Sequence, residues 1–380
     1  MTNVVVVEAI RTPIGAVHGA FVEHQPVDLL GATIAAVVSR AGVDPAAIGE
    51  IIVGCTEPVG AQSGNVARGA GLAAGVPASV GATTIDRGAT SGAQALLLAV
   101  ALVSAGIHRA VVAAAVDIMS LVPAGAAAMG RHPYGRPWTA AVTNGAPTVP
   151  PGVATEALAA RLGIDRVEQD CWAAASVTAA LAPRSVAART AERHPAGPDE
   201  ILATRPHDAE ACGAFRPLHD ADGTVTAANS APPADGAAAL IVADAEWLAE
   251  QHRSPLARVR TVASAAGAGD DPLGPAAAAA RLALRRSGVE VDQLTAIELH
   301  EPSAVVAIAL QQALGFDRSI INVQGGALAL GDPPATSGIR TAVTLAHLLA
   351  ATGGGGLHIV PGLGLGTAIV LDGRRVPDEE

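Results

Sequence analysis

The sequence predicts an α/β protein of two duplicated βαβ halves with a loop domain inserted between them, and three observations predict it. A β-rich run ends at Thr84-Ile85, small residues turn the chain from Asp86 to Gly92, and a long apolar helix begins at Ala93. The turn Ala89-Thr90-Ser91-Gly92 recurs as Ala335-Thr336-Ser337-Gly338, again between a strand and an apolar helix. Each helix ends at a glycine, Gly106 or Gly353, and feeds a hydrophobic strand, Ala110 to Val116 or His358 to Val360. A strand-turn-helix-strand order that repeats at matched places is the signature of a duplication. Apolar residues run all round both helices, Ala93 to Val103 and Ala342 to Ala350, as in helices covered on every side.

Taken in order, the chain opens on the β-branched strand Val4 to Val7, with no basic segment before it, so no signal peptide is expected. A second apolar run, Ile51 to Gly54, ends at Cys55, which reads as a buried small residue. The strand, tight turn and helix start at 84–93 form the setting in which enzymes expose a nucleophile to the positive end of a helix. Its apex is Ala89, and a methyl group cannot attack a carbonyl.

A different texture follows. Pro123 to Pro151 is rich in Gly, Ala and Pro and carries an Arg/aromatic cluster from Arg131 to Trp138, which suits an ordered oligomer loop or a phosphate site. Thr155 to Arg193 reads as two helices, with Leu158 and Leu162 sharing a face of the first. Asp165 and Glu168 form a capping box for the second, where Val167, Cys171 and Ala174 are spaced for one face. The strand Ala238 to Val242 then returns to the first half. The expected boundaries are 1–117 with 220–250 for the amino-terminal half, 118–219 for the loop domain and 251–380 for the carboxyl-terminal half.

Bulk chemistry narrows the function. The chain has 380 residues, room for two large domains, and no apolar run reaches the length of a membrane span. All 24 basic residues are Arg, so Schiff-base chemistry on lysine is excluded. A net charge of −11 argues against a nucleic-acid partner. The three cysteines, Cys55, Cys171 and Cys212, lack paired spacing, which points to a reducing, cytoplasmic compartment without structural zinc. Neither a cofactor nor a metal is expected.

The segment Thr84 to Gly92 resembles the nucleophile turn of the thiolase family, V/I-N/D-x-x-C-G/S-S-G/S, and the resemblance extends over almost the whole chain. Val4 to Gly15 is similar to the opening strand with its A-x-R-T-P-x-G turn, and Asn65-Val66-Ala67-Arg68 to N-x-A-R. Asp117 to Ser120 resembles E-S-M-S, Asp235 to Ala239 resembles N-D-G-A-A, and Asn322 to Gly331 follows N-x-N-G-G-A-I-A-L-G. The resemblance implies a five-layered α-β-α-β-α architecture, subunit and coenzyme A contacts from the inserted loops, and a homodimer or homotetramer.

It also implies where the chemistry would stand. The acyl-accepting cysteine falls at Ala89, the oxyanion-hole asparagine of N-E-A-F at His300, the histidine of G-H-P at Asp332, and the second cysteine at Val360. The family serine that approaches pantetheine falls within Asn229 to Gly236, where Ser230 is the remaining hydroxyl; Met119 and the glycine loop Gly362 to Gly366, with Gly364, complete the substrate side.

With those four positions changed, the expected function is noncovalent acid–base chemistry. His300 and Asp332 would work as a dyad and Glu301 as a second carboxylate, on an acyl-CoA or acyl-carrier thioester or a β-dicarbonyl compound. C–C cleavage, cyclisation or a related step would fit. One alternative is a catalytically silent subunit of a hetero-oligomer. Another is a one-cysteine acyltransferase or condensing enzyme in which Ala89 is an engineered replacement.

Overall fold

The computed structural model describes residues 3–128, 149–195 and 197–373. The Arg131 to Trp138 cluster therefore lies outside the described residues. The first half runs β1 (Val4–Arg11), β2 (Gly15–Ala16), α1 (Pro26–Ala41), β3 (Glu50–Gly54), α2 (Val66–Ala73), β4 (Gly81–Ile85), α3 (Ser91–Ser104) and β5 (Ala110–Ile118). Helices α4 (Pro151–Leu162), α5 (Arg166–Leu181), α6 (Pro183–Glu192) and α7 (Ala209–Gly213) precede β6 (Ala234–Asp244) and α8 (Ala245–Glu250). Then come β7 (Ala257–Ala266), α9 (Gly274–Ser287), β8 (Leu294–Leu299), α10 (Ala304–Leu314), α11 (Ala327–Leu330), α12 (Pro334–Thr352), β9 (Gly355–Gly362) and β10 (Leu365–Asp372).

The strands follow the order β4-β3-β5-β6-β1-β7-β10-β9-β8, with β2 paired to β6. β3 runs parallel to β4 and β5, and β8 parallel to β9; the other pairings are antiparallel. Among the described residues, Val5↔Arg258 and Val6↔Ala257 are the only strand pairs that join the two halves of this path. Strand alternation sorts the side chains. In β5, Ala110, Val112, Ala114 and Val116 pack with α1 and α2, while Val111, Ala113 and Ala115 pack with α3 and α12. The second half repeats this: Leu357 and Ile359 pack with α9 and α10, while Ala296, Ile369 and Leu371 join the α3/α12 core. Three apolar cores between α1/α2, a half-sheet, α3/α12, the second half-sheet and α9/α10 make the five expected layers.

Small residues let the two middle helices touch. A Cβ on Gly92 would overlap the Ala335 carbonyl oxygen, and one on Gly338 would lie 2.8 Å from the Ala93 nitrogen. The repeated Ala-Thr-Ser-Gly turn is thus a mutual crossing point, close enough that only glycine fits.

The region before β6 differs from expectation in two ways. Pro183 starts a third helix, so 151–192 forms three helices rather than two. Asp165 does cap α5 by accepting from the Glu168 nitrogen (2.8 Å), but Val167 and Cys171 are exposed. Of the three expected there only Ala174 is buried, and the buried face also carries Gln169, Asp170, Trp172, Ala173, Ser176 and Val177. Polar residues turn inward there because they have partners: Gln169 donates to Thr224 Oγ1 (2.9 Å), and Asp170 accepts from Asn229 (2.9 Å) and Arg166 (2.7 Å). Leu162 likewise turns outward although Leu158 is buried. This region is pinned to β1 by Arg11, fully buried between Glu192 (3.1 Å) and Asp199 (2.7 Å). Against the cost of burial, Arg11 holds the Asp199 carboxyl down at about 2.

Candidate functional site

Five segments meet at the carboxyl ends of the parallel strands, where open α/β sheets place their ligands. The turn Asp86 to Thr90 leaves β4, Cys55-Thr56 leaves β3, Asp117 ends β5, His300 follows β8, and Gly362 ends β9. Close contacts fix them against one another. A Cβ on Gly362 would stand 2.9 Å from Thr90 Cγ2, which brings the glycine loop onto the turn. The His300 nitrogen donates to the Ile359 carbonyl (3.0 Å), and the Asp332 nitrogen donates to the Pro232 carbonyl (2.8 Å).

The turn is rigid. The Arg87 nitrogen donates to Ser91 Oγ (2.7 Å), which donates in turn to the Gly88 carbonyl (2.6 Å). Thr90 Oγ1 donates to the Arg87 carbonyl (2.8 Å). Gly88 takes φ of 56°, and Ala89 sits half-buried at the apex, immediately before α3. The Arg87 guanidinium crosses the turn to Thr367 Oγ1 on β10 (3.0 Å).

His300 and Asp332 do meet. His300 is fully buried, and its Nε2 lies 2.8 Å from Asp332 Oδ1. Burial alone would raise the Asp332 carboxyl, but the His300 charge and bond, with a Ser337 Oγ donor at 2.6 Å, carry it below its ordinary value. An ionised carboxylate only accepts, so whenever the His300 ring is neutral its one proton sits on Nε2. That leaves Nδ1 as a lone-pair acceptor, and Nδ1 has no partner among the described residues. The pair is therefore oriented, with one buried and unpartnered ring nitrogen.

Other expected residues are placed differently. Glu301, expected as a second free carboxylate, is fully buried and already occupied: Trp172 Nε1 donates to Oε1 (3.0 Å) and Ser176 Oγ to Oε2 (3.0 Å). Strand alternation explains this, because residue 301 leaves β8 on the face opposite to 298 and 300. Glu301 braces α5, with the Arg318 guanidinium stacked 3.6 Å over the Trp172 ring. Val360 is a fully buried valine of β9 paired with Thr367. Ser230 is held through its main chain, by Arg205 at its carbonyl (3.1 Å) and by backbone pairing with Ser303. Gly364 takes φ of 65°, as a tight loop demands, and Met119 is half-buried just beyond β5.

Sequence reasoning missed Asp117, which it read only as a departure from a glutamate. Its fully buried carboxylate accepts from the Thr56 nitrogen (3.0 Å), Thr56 Oγ1 (3.1 Å) and the Ala335 nitrogen (2.6 Å), so it clamps the start of α12. Burial nevertheless pushes it up to about 7. Among the described residues, no His/Cys/Asp/Glu group is arranged to hold a metal, and no helix is long and apolar enough to cross a membrane.

Comparison with known proteins agrees with this architecture. The thiolase amino-terminal domain matches residues 4–246 and the thiolase carboxyl-terminal domain residues 253–373. The chain is 33% identical over 374 residues to acetyl-CoA acetyltransferase of Escherichia coli (strain K12), covering 92% of this chain and 93% of that protein. It is 34% identical over 378 residues to 3-ketoacyl-CoA thiolase of Erwinia tasmaniensis, covering 92% and 93%. The crystal structure of Bacillus anthracis acetyl-CoA acetyltransferase superposes with a TM-score of 0.87 at 30% identity, over 98% of this chain and 99% of that one.

These relatives overturn the expected function. Proteins named acetyltransferase and thiolase match the chain almost end to end, at both domains. That is not the pattern of a chain diverted to noncovalent acid–base chemistry, a silent subunit or an engineered one-cysteine condensing enzyme. The chain belongs to the thiolase family, and it is an acyltransferase-like enzyme of that superfamily.

Proposed function

We propose that the chain transfers acyl groups between coenzyme A thioesters, as a thiolase does, with His300 and Asp332 as its acid–base pair. One observation carries the reading. A buried imidazole commits Nε2 to a carboxylate and leaves Nδ1 without a partner among the described residues, at the strand ends where the α3 turn and the glycine loop converge. Because residue 89 carries no thiol, the thiol of the acceptor coenzyme A bonds to the keto carbonyl carbon as the adjacent C–C bond breaks. His300 takes the thiol proton and delivers it to the departing acetyl-CoA carbanion, while Asp332 steadies the imidazolium. Backbone amides of the α3 turn offer donors to a thioester oxygen, whereas the Gly364 amide is already given to the Asp271 carbonyl (3.0 Å). Met119 and Ser230 border the same end and contact the substrate. The chain works as a homodimer or homotetramer in the cytoplasm. An open edge at β4, with Gly81 and Thr83 exposed, and three free cysteines support that part of the proposal.

The test is acetoacetyl-CoA and coenzyme A incubated with the purified chain, following acetyl-CoA formation. Wild type forms acetyl-CoA, and His300→Ala lowers kcat by about 10² to 10⁴. Ala89→Cys, which supplies a thiol at the apex of the turn, raises the rate. No product from wild type above a protein-free control overturns the proposal.

A further inference from the structure

Behind the His300–Asp332 pair lies a set of buried polar groups that the proposed chemistry does not use. Glu298 precedes His300 by two residues and so shares its sheet face, and it is paired in register with His358 of β9. Arg340 reaches this face from α12. Both Arg340 and Glu298 are fully buried, yet Nε, Nη1 and Nη2 of Arg340 and both carboxylate oxygens of Glu298 have no hydrogen-bond partner among the described residues. Their charges act on one another without a direct ion pair forming. Two more orphans belong to the same neighbourhood, His358 Nδ1 and Glu192 Oε1.

Orphaned buried polar groups cost about 1–3 kcal/mol each, and more when charged. This many in one place is beyond what a marginally stable domain carries. The hydrogen-bond polarity says what satisfies them. Thr341 Oγ1 donates its single proton to the Ser337 carbonyl (2.8 Å), so His358 Nε2, 2.7 Å away, must donate to Thr341. His358 Nδ1 is then a bare acceptor. Arg340 offers only donors, His358 Nδ1 wants one, and Glu298, protonated near neutral pH, offers one proton and accepts at its other oxygen. A molecule that accepts from the first and donates to the others is water, and a polar gap with several partners is where buried water resides.

We propose that Arg340, Glu298 and His358 enclose a cluster of ordered waters behind the catalytic pair, and that Arg340 is a positioning residue for that pair. The proposal rests on the acid–base reading of that pair. Arg340 stands about one turn along α12 from Ser337, whose hydroxyl donates to Asp332, and its guanidinium has no direct partner among the described residues. It faces Glu298 from β8, Glu301 from the segment after β8, Glu192 from α6 and the like charge of Arg11 from β1. On its other side it acts on Asp332, at the start of α12, and on His358. Desolvation by burial, then the charges of His300 and Arg340, bring His358 down to about 3, which leaves it neutral. Burial raises Glu298 to about 8 in spite of Arg340, so near neutral pH the cation is little compensated from that side. Its field falls on Asp332, whose carboxylate then holds the His300 proton on Nε2 and keeps Nδ1 free.

Two measurements test this without requiring turnover, so that a failed acyl-transfer assay and a failed positioning role remain separate. A crystal structure of the wild-type chain resolving ordered water is expected to show at least two waters bonded to Arg340 and to Glu298 or His358. A direct Arg340–Glu298 ion pair, or a dry gap, overturns the cluster. The second measurement follows the side-chain carboxyl carbon of Asp332 by NMR across pH in the full chain, assigned by its loss in Asp332→Asn. The Asp332 midpoint is expected to rise by about one unit in Arg340→Gln, the scale of one charge at several ångströms inside a protein. Arg340→Lys, which keeps the charge, restores it. An unmoved midpoint in folded Arg340→Gln overturns the positioning role. Should Arg340→Gln not fold, Arg340→Lys with an ordinary carboxylate midpoint at Asp332 overturns it equally.

Discussion

At α3 the turn Ala89-Thr90-Ser91-Gly92 closes on its own hydroxyls, and the helix behind it is almost entirely apolar. At α12 the same four residues, Ala335-Thr336-Ser337-Gly338, open a helix whose buried side carries Ser337, Arg340, Thr341 and Thr344. The backbone solution is shared, and the chemistry is not. Ser91 satisfies its own turn, while Ser337 donates to Asp332; the start of α3 has no side-chain cap, while the start of α12 is clamped from another strand by Asp117. A duplicated scaffold can thus keep one copy as a structural wedge and load the other with the polar machinery.

The largest expected effect breaks what the two copies share. Gly92→Ala would drive a methyl into the Ala335 carbonyl, where backbone rather than a flexible side chain must yield. The expected loss is about 3 kcal/mol or more in urea unfolding, the upper end for overpacking a core. Unchanged stability would mean that the helices do not cross here.

A smaller effect sharpens the contrast between the amino ends. In Asp117→Asn an amide NH₂ replaces one carboxylate oxygen, and it faces a hydrogen-bond donor whichever way the group turns. The expected cost is about 1–3 kcal/mol. Its pH dependence is distinctive. The native carboxyl is raised to about 7 by burial, above its unfolded value, so its stabilising contribution is full below about pH 4 and is lost as pH rises through about 7. The gap between wild type and Asp117→Asn should therefore be wider at pH 5 than at pH 8, measured by unfolding at both. A gap that widens with pH would reverse the assignment.

The same contrast explains what was legible in the sequence. The α3 side could be read: apolar periodicity, a small-residue turn and a following strand are local features, and the duplication shows because small residues at the crossing repeat as letters. The pairing of His300 with Asp332 could also be read, through the thiolase resemblance, which sets both positions around one site. Arg340 and Glu298 could not. An arginine in a helix and a glutamate in a strand read as solvent-facing, and only packing from β1, β8, β9 and α6 together buries them. Glu301 misled for a related reason. It is a neighbour of His300 in sequence, but strand alternation sends adjacent residues to opposite faces, and its partners Trp172 and Ser176 lie far away along the chain.

The carboxyl ends of the two helices give the finest comparison. After α3, the Gly106 nitrogen donates to the Val103 carbonyl (2.9 Å) and the Ile107 nitrogen to the Leu102 carbonyl (3.0 Å), the paired bonds of a Schellman ending. Gly106 takes φ of 69° with nothing near a would-be Cβ, so Gly106→Ala meets only the intrinsic cost of a left-handed residue, about 1 kcal/mol. After α12, Gly353 takes φ of 71° with ψ of −171°, a region that essentially only glycine enters. Space around it is equally open, so sterics do not separate the two sites and backbone conformation alone does. Gly353→Ala should cost about 1 kcal/mol more than Gly106→Ala, within the range for a strained backbone. Equal losses in parallel unfolding curves would mean that the two helices end alike, and that their difference is confined to the ends where the site is built.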